Sequence, residues 1–65
     1  MDKVYRITKA GKRVLRDSAL SEEELNTLQY IKDNKSASES QLEVVGGRWV
    51  VRRLHRGKFI KEVVE

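Results

Sequence analysis

Apolar residues recur at helical spacing in the first half of the chain. Three of them lie three residues apart, as on one face of an α-helix: Leu25, Leu28 and Ile31. Ser21 precedes this stretch, and Glu24 lies three residues after Ser21, which is the spacing of a capping box at a helix N-terminus. The pattern predicts a helix over about residues 22–33 that ends in the polar residues 33–36.

Short runs of strand-forming residues lie near the two ends of the chain. One run is Val4–Ile7. The other covers residues 58–64 and contains four strand formers: Phe59, Ile60, Val63 and Val64. A lone strand cannot pair its backbone groups, so we expect the two runs to pair with each other in antiparallel fashion. This predicts a two-stranded sheet built from opposite ends of the chain.

A short helix is predicted directly after the first strand. Thr8 offers a hydroxyl that can cap a helix N-terminus, so the helix is expected over about residues 9–16. Its apolar stripe consists of three residues: Ala10, Val14 and Leu15. Gly11 lies within the helix and is expected to weaken it by about 1 kcal/mol relative to alanine.

Two further helices are predicted after residue 36. The first runs through Leu42 to about residue 45. Two pairs have the spacing of its capping box, and the sequence leaves both open: Ser36 with Glu39, and Ser38 with Gln41. Gly46-Gly47 then permits a sharp turn, and the second helix follows over residues 48–56. Gly57 is predicted to end that helix as a left-handed cap. Three residues are predicted to face the core from it: Val50, Val51 and Leu54.

The length of the chain limits what it can do. It has 65 residues, which predicts one small domain covering residues 1–65. Such a domain buries only about 60% of the surface that it exposes when unfolded, which leaves little core for a deep ligand pocket. The absence of cysteine excludes a disulfide framework and a thiolate metal site. No apolar run approaches the ~18 residues of a membrane span, and no signal region is visible, so we expect a cytoplasmic location.

His55 is the single histidine of the sequence. A catalytic histidine needs an orienting partner and a nucleophile or metal within reach, and no pattern in the sequence supplies them. We therefore interpret His55 as a surface residue. We expect a chain that is not an enzyme and has no cofactor, no metal and no small-molecule substrate.

The net charge of +4 is unevenly distributed along the chain. Residues 1–16 hold six Lys or Arg against one acid, residues 17–45 hold seven acids against two bases, and residues 46–65 hold six bases against two acids. Pairing of the terminal strands would join the two basic ends into one surface, which favours nucleic acid as a partner. The bases of the first segment form either a second strip of phosphate contacts or a solvated face: Lys3, Arg6, Lys9, Lys12, Arg13 and Arg16.

From residue 20 to residue 63 the predicted order is a capped helix, a short helix, a glycine turn, a basic helix and a strand. Three segments carry this order: residues 20–31, residues 38–46, and Val51-Arg52-Arg53-Leu54 with Phe59-Ile60. The order resembles the winged-helix superfamily of helix-turn-helix domains. A further segment resembles the last wing strand of that superfamily running into a capped helix: Tyr5-Arg6-Ile7-Thr8-Lys9-Ala10-Gly11. Here that segment comes first, which indicates either a permuted strand order or a variant in which a strand and a helix precede the three-helix core.

The resemblance implies an α+β fold with a three- to four-helix helix-turn-helix core and a two-stranded antiparallel sheet. Most members of the superfamily bind DNA, whereas some bind RNA or only other proteins. The fold by itself therefore does not decide the function.

The basic helix over residues 48–56 is the candidate interface. A step of 100° per residue places its arginines opposite the core positions, and in a helix-turn-helix this helix enters the major groove. Arginine can bind guanine edges or phosphates in bidentate fashion. The predicted nucleic-acid-binding residues are Arg48, Trp49, Arg52, Arg53, Arg56 and Lys58. A solvated face with an arginine stacked on Trp49 is the alternative, and Trp49 itself fits either a partner contact or the core.

We therefore expect a non-catalytic nucleic-acid-binding domain, with duplex DNA favoured over RNA, that serves in transcription regulation or as a targeting module. The alternative is a protein–protein interaction module of a larger assembly, in which Trp49 and the wing-like hairpin dock a partner.

Overall fold

A computed structural model of the chain describes residues 3–17 and 20–63. Four helices and three strands follow one another in this part of the chain: β1 (Val4–Ile7), α1 (Lys9–Asp17), α2 (Glu22–Asn34), β2 (Ala37–Ser38), α3 (Glu39–Gly46), α4 (Arg48–Arg56) and β3 (Ile60–Val63). The predicted α+β class is confirmed, and the four predicted helices begin and end within one or two residues of their expected bounds.

The three strands form one antiparallel sheet in the order β2-β1-β3. The predicted pairing of the chain ends is confirmed, since β1 pairs with β3 from Val4 opposite Val63 to Ile7 opposite Ile60. The prediction of only two strands is wrong, because β2 adds a third on the other side of β1. With only two residues, one of them also the N-cap of α3, β2 has no alternating pattern that sequence reasoning could detect.

Serine side chains cap the N-termini of α2 and α3. The Ser21 hydroxyl oxygen accepts a hydrogen bond from the Glu24 backbone N–H at 3.4 Å, and the hydroxyl donates to the Glu24 carboxylate at 2.8 Å. Ser38 forms a reciprocal capping box with Gln41, with hydrogen bonds of 3.3 and 3.1 Å. Of the two caps that the sequence left open for α3, the structure therefore forms the one at Ser38.

The turn between α4 and β3 differs from its prediction. Gly57 has a right-handed backbone with φ −77°, so its predicted left-handed cap is wrong, and Lys58 takes the left-handed conformation with φ 63°. The Lys58 carbonyl accepts a hydrogen bond from the Thr8 hydroxyl at 2.7 Å. Phe59 donates its N–H to the Leu54 carbonyl and accepts from Thr8, so the strand begins at Ile60 and not at residue 58. Residue 64 lies outside the described residues.

The hydrophobic core lies between the sheet and helices α2, α3 and α4. Its members are buried residues from six of the seven elements: Tyr5, Leu28, Ile31, Ala37, Leu42, Val50, Val51, Leu54 and Ile60. The predicted core face of α4 is thereby confirmed. On α1, Val14 and Leu15 pack against this core, but Ala10 is exposed and Gly11 is the buried residue. The prediction that Ala10 belongs to the packing face of α1 is wrong, because Gly11 is the residue that faces β1 and the segment before β3.

Gly11 allows α1 to lie against the backbone of Phe59. A Cβ at this position would overlap the Phe59 carbonyl oxygen and lie 2.7 Å from Cγ1 of Ile7. The Phe59 carbonyl accepts the Thr8 N–H at 3.0 Å, so it is held against the start of α1. The glycine that weakens the helix in isolation is therefore required for its packing.

We expect Gly11→Ala to lower the free energy of unfolding, although alanine is the better helix former. Overpacking of this kind costs about 1–3 kcal/mol, whereas the gain in helix propensity is about 1 kcal/mol. The measurement is the urea midpoint, with Ala10→Gly at the exposed neighbouring position as the control for helix propensity. Both substitutions should destabilise, and a higher midpoint for Gly11→Ala would refute the close contact with Phe59.

Candidate nucleic-acid interface

The core positions of α4 determine which of its side chains face outward. Val50, Val51 and Leu54 are buried, and α4 packs against α2 and α3 on this side. Gly47, with φ 89°, joins α3 to α4 and permits the abrupt change of direction between the two helices. The opposite face of α4 is left exposed along its whole length.

That outer face carries five of the six predicted site residues, and all five are exposed: Arg48, Trp49, Arg52, Arg53 and Arg56. A concavity of about 640 Å³ lies along it and is lined by all of these except Arg48, together with His55. Trp49 is 75% exposed, so the interpretation that placed it in the core is wrong. The Arg52 guanidinium lies 5.9 Å from the centre of the Trp49 ring, within the range of a cation–π interaction.

Arg48 and Arg52 also line a second, smaller concavity of about 240 Å³ on the side of α4 that faces α3 and β1. Two carboxylates of α3, Glu39 and Glu43, line the same concavity. The arginines of α4 therefore have two environments, because Arg53 and Arg56 face a surface without acids, whereas Arg48 faces two. Sequence reasoning missed these two acids. Their spacing of four residues indicates that they share one face of a helix, but it does not indicate which other element that face contacts.

Tyr5 connects β1 to this second concavity. Its buried side chain donates a hydrogen bond to Oε2 of Glu39 at 3.3 Å, and its ring meets the His55 ring edge-on, with the ring centres 5.4 Å apart. Burial, followed by the negative charge of Glu39, raises the pKa of Tyr5 above its usual value of 10. Tyr5 therefore remains a neutral hydrogen-bond donor that holds Glu39 beside α4.

The remaining predicted residues are distributed over the surface. Lys58 is exposed at the turn after α4 and lines none of these concavities. Lys3, from the predicted basic strip, forms a salt bridge with Glu62 at 3.8 Å and lines the smaller concavity beside Tyr5. The four basic residues of the strip that belong to α1 lie around a different groove.

Over residues 3–17 and 20–63, no group of three His, Cys, Asp or Glu residues is placed to hold a metal ion. His55 is exposed, as the sequence predicted, and its ring contacts the Tyr5 ring. None of the helices in the described part of the chain is both long enough and apolar enough to cross a membrane.

Comparisons of the chain with protein-family models, with curated proteins and with solved structures found no match. A function is therefore inferred from the geometry and charge of the surface itself.

Proposed function

We propose that this chain is a winged-helix-like domain with a permuted strand order, and that it binds nucleic acid through the outer face of α4 without catalysing a reaction. The strand that resembles the last wing strand, β1, pairs with β3 and is followed by the capped helix α1. The helices α2, α3 and α4 follow one another as in a helix-turn-helix core, with α4 in the place of the helix that enters the major groove.

The observation that carries the proposal is the exposed positive charge of α4, whose concavity around Trp49 is lined by three arginines and by no acid. The four arginines of α4 are exposed, and none of them forms a salt bridge with another residue of the described ranges. A row of guanidinium groups around an exposed indole can bind phosphates, guanine edges and sugar or base faces at the same time. We favour duplex DNA over RNA because a single exposed helix fits the major groove of B-form DNA, whereas that of A-form RNA is too narrow.

The test is a titration of the chain with a labelled DNA duplex at two salt concentrations, with an RNA hairpin as the comparison. The logarithm of the binding constant should fall linearly with the logarithm of salt concentration, by about 0.9 for each phosphate contact. The duplex should bind more tightly than the hairpin. No binding above background at low salt, or binding that does not change with salt, would refute the proposal.

A protein-interaction module is the second candidate, and one observation favours it. The exposed large apolar side chains of the described residues all lie around the turn between α3 and α4: Val44, Val45 and Trp49. An exposed tryptophan beside arginines is typical of the residues that anchor protein interfaces. In the same titration, this candidate predicts no salt-dependent binding to either nucleic acid.

A further inference from the structure

Helix α1 carries a row of basic side chains on one face. A step of 100° per residue places all four within an arc of about 100°, and the row spans about 10 Å along the helix axis: Lys9, Lys12, Arg13 and Arg16. All four are exposed. The buried or half-buried residues of α1 lie outside this arc: Gly11, Val14 and Leu15, of which Leu15 borders the basic row. The spacing therefore separates a packing face from a cationic face.

Helix α2 completes a groove along this row. The groove has a volume of about 560 Å³ and is lined by the four bases of α1, by Leu15, and by Gln29 and Lys32 of α2. No carboxylate lines it. The nearby carboxylate of Asp33 accepts a hydrogen bond from the Gln29 amide at 2.8 Å. Within the described ranges, none of the five bases forms a salt bridge. The groove, here called the α1–α2 groove, is thus a concave site with five unpaired positive charges.

The α1–α2 groove is separate from the surface of α4. It shares no lining residue with the concavity around Trp49 or with the one beside Tyr5. The described part of the chain therefore presents two cationic concavities built from different helices. Glu39 and Glu43 of α3 line a concavity together with arginines of α4, whereas no acid lines the α1–α2 groove.

The chemistry of the groove fits a phosphate backbone better than an acidic protein segment. Protein interfaces are usually anchored by large apolar or aromatic side chains in pockets, and Leu15 is the single apolar residue that lines the groove. A row of Lys and Arg on one helix face instead matches successive phosphates, which need charge and N–H donors without apolar contacts.

We propose that the α1–α2 groove is a second nucleic-acid site that binds the phosphate backbone of one duplex while α4 binds another, so that a single domain bridges two duplexes. This inference rests on the proposed function, because α4 must hold the first duplex. It adds a sequence-independent contact and a stoichiometry of one protein to two duplexes.

The experiment uses two short DNA duplexes with different fluorophores and measures their co-diffusion by fluorescence cross-correlation in the presence of the full chain. Three pairs of substitutions are compared: Lys12→Gln with Arg16→Gln in the α1–α2 groove, Arg52→Gln with Arg56→Gln on α4, and Lys35→Asn with Lys61→Gln as a control. Each pair removes two positive charges, and the control residues line none of the three concavities. Sedimentation of the protein alone excludes bridging by self-association, and the thermal midpoint verifies folding.

We expect the wild type and the control pair to join the two duplexes. The groove pair should lose co-diffusion to background while still binding a single duplex within about threefold of the wild-type affinity. Co-diffusion at the wild-type level with the groove pair would overturn the second site and leave the proposed function standing. A third outcome is that the wild type bridges no duplexes but binds a glutamate-rich peptide, and that the groove pair loses this binding. The ligand of the groove would then be an acidic protein segment, and the second nucleic-acid site would be overturned. Absence of binding to any duplex at low salt would overturn both proposals.

Discussion

We expect the replacement of Arg52 and Arg56 together by glutamine to lower the affinity of the chain for duplex DNA and to make binding less sensitive to salt. Both side chains line the concavity beside Trp49, and neither is neutralised by a salt bridge to another residue of the described ranges. If an arginine binds a phosphate, its removal should reduce the slope of log affinity against log salt by about 0.9. If it binds a base edge, its removal should cost about 1–3 kcal/mol and relax the preference at one base pair.

The measurement is fluorescence anisotropy with a labelled duplex at several salt concentrations. Lys35→Asn with Lys61→Gln serves as the matched control, because it removes the same charge from exposed positions that line neither concavity of α4. Asparagine is chosen at residue 35 because Lys35 has φ 67°, a left-handed conformation that asparagine tolerates. If the α4 pair binds as tightly as the control pair, α4 is not the interface.

Leu54→Ala should remove a large part of the stability of the domain. Leu54 is 0% exposed, and the backbone carbonyl of the same residue accepts the Phe59 N–H that begins the return towards β3. Substitution of a buried leucine by alanine costs about 2–5 kcal/mol. A domain of 65 residues has a total stability of about 3–10 kcal/mol at 0.05–0.15 kcal/mol per residue. Urea denaturation followed by circular dichroism should therefore show a greatly lowered midpoint or an unfolded chain.

Val44→Ala is the control for the removal of apolar atoms. Val44 lies on α3 and is 87% exposed, so its truncation should change the free energy of unfolding by no more than about 0.5 kcal/mol. Equal effects of the two substitutions would contradict the burial of Leu54 and, with it, the orientation of α4 that exposes the arginines.

Local patterns were sufficient to predict most of the elements. The serine at residue 21 and the apolar spacing from residue 25 onwards located α2, because capping and helical periodicity depend on residues a few positions apart. The same reasoning oriented α4 correctly, since the angle between Leu54 and the arginines follows from helix geometry alone. The pairing of the two chain ends was also predicted, because each strand required a partner.

Most features that sequence reasoning missed depend on contacts between distant segments, but the cap after α4 is local. Its left-handed residue is Lys58 and not Gly57, because the N–H groups of residues 58 and 59 bond back to carbonyls in the last turn of α4, which closes the helix one residue later than predicted. Gly11 was interpreted as a weakness of α1, but the backbone of Phe59 requires it. The acids beside Arg48 belong to α3. They come to line the same concavity as Arg48 only because Tyr5 and α4 pack against that helix.

The pairing of Val4 with Val63 has a consequence for how the chain folds. The helices α2, α3 and α4 are consecutive and pack on one another, so they can assemble from contacts between neighbouring segments. The central strand of the sheet, however, must find a partner at the far end of the chain, and closing so long a loop carries an entropic cost before the strand hydrogen bonds form. Such non-local contacts slow folding relative to a helical bundle of the same length. We therefore expect the sheet to close late in folding, after the three helices have packed on one another.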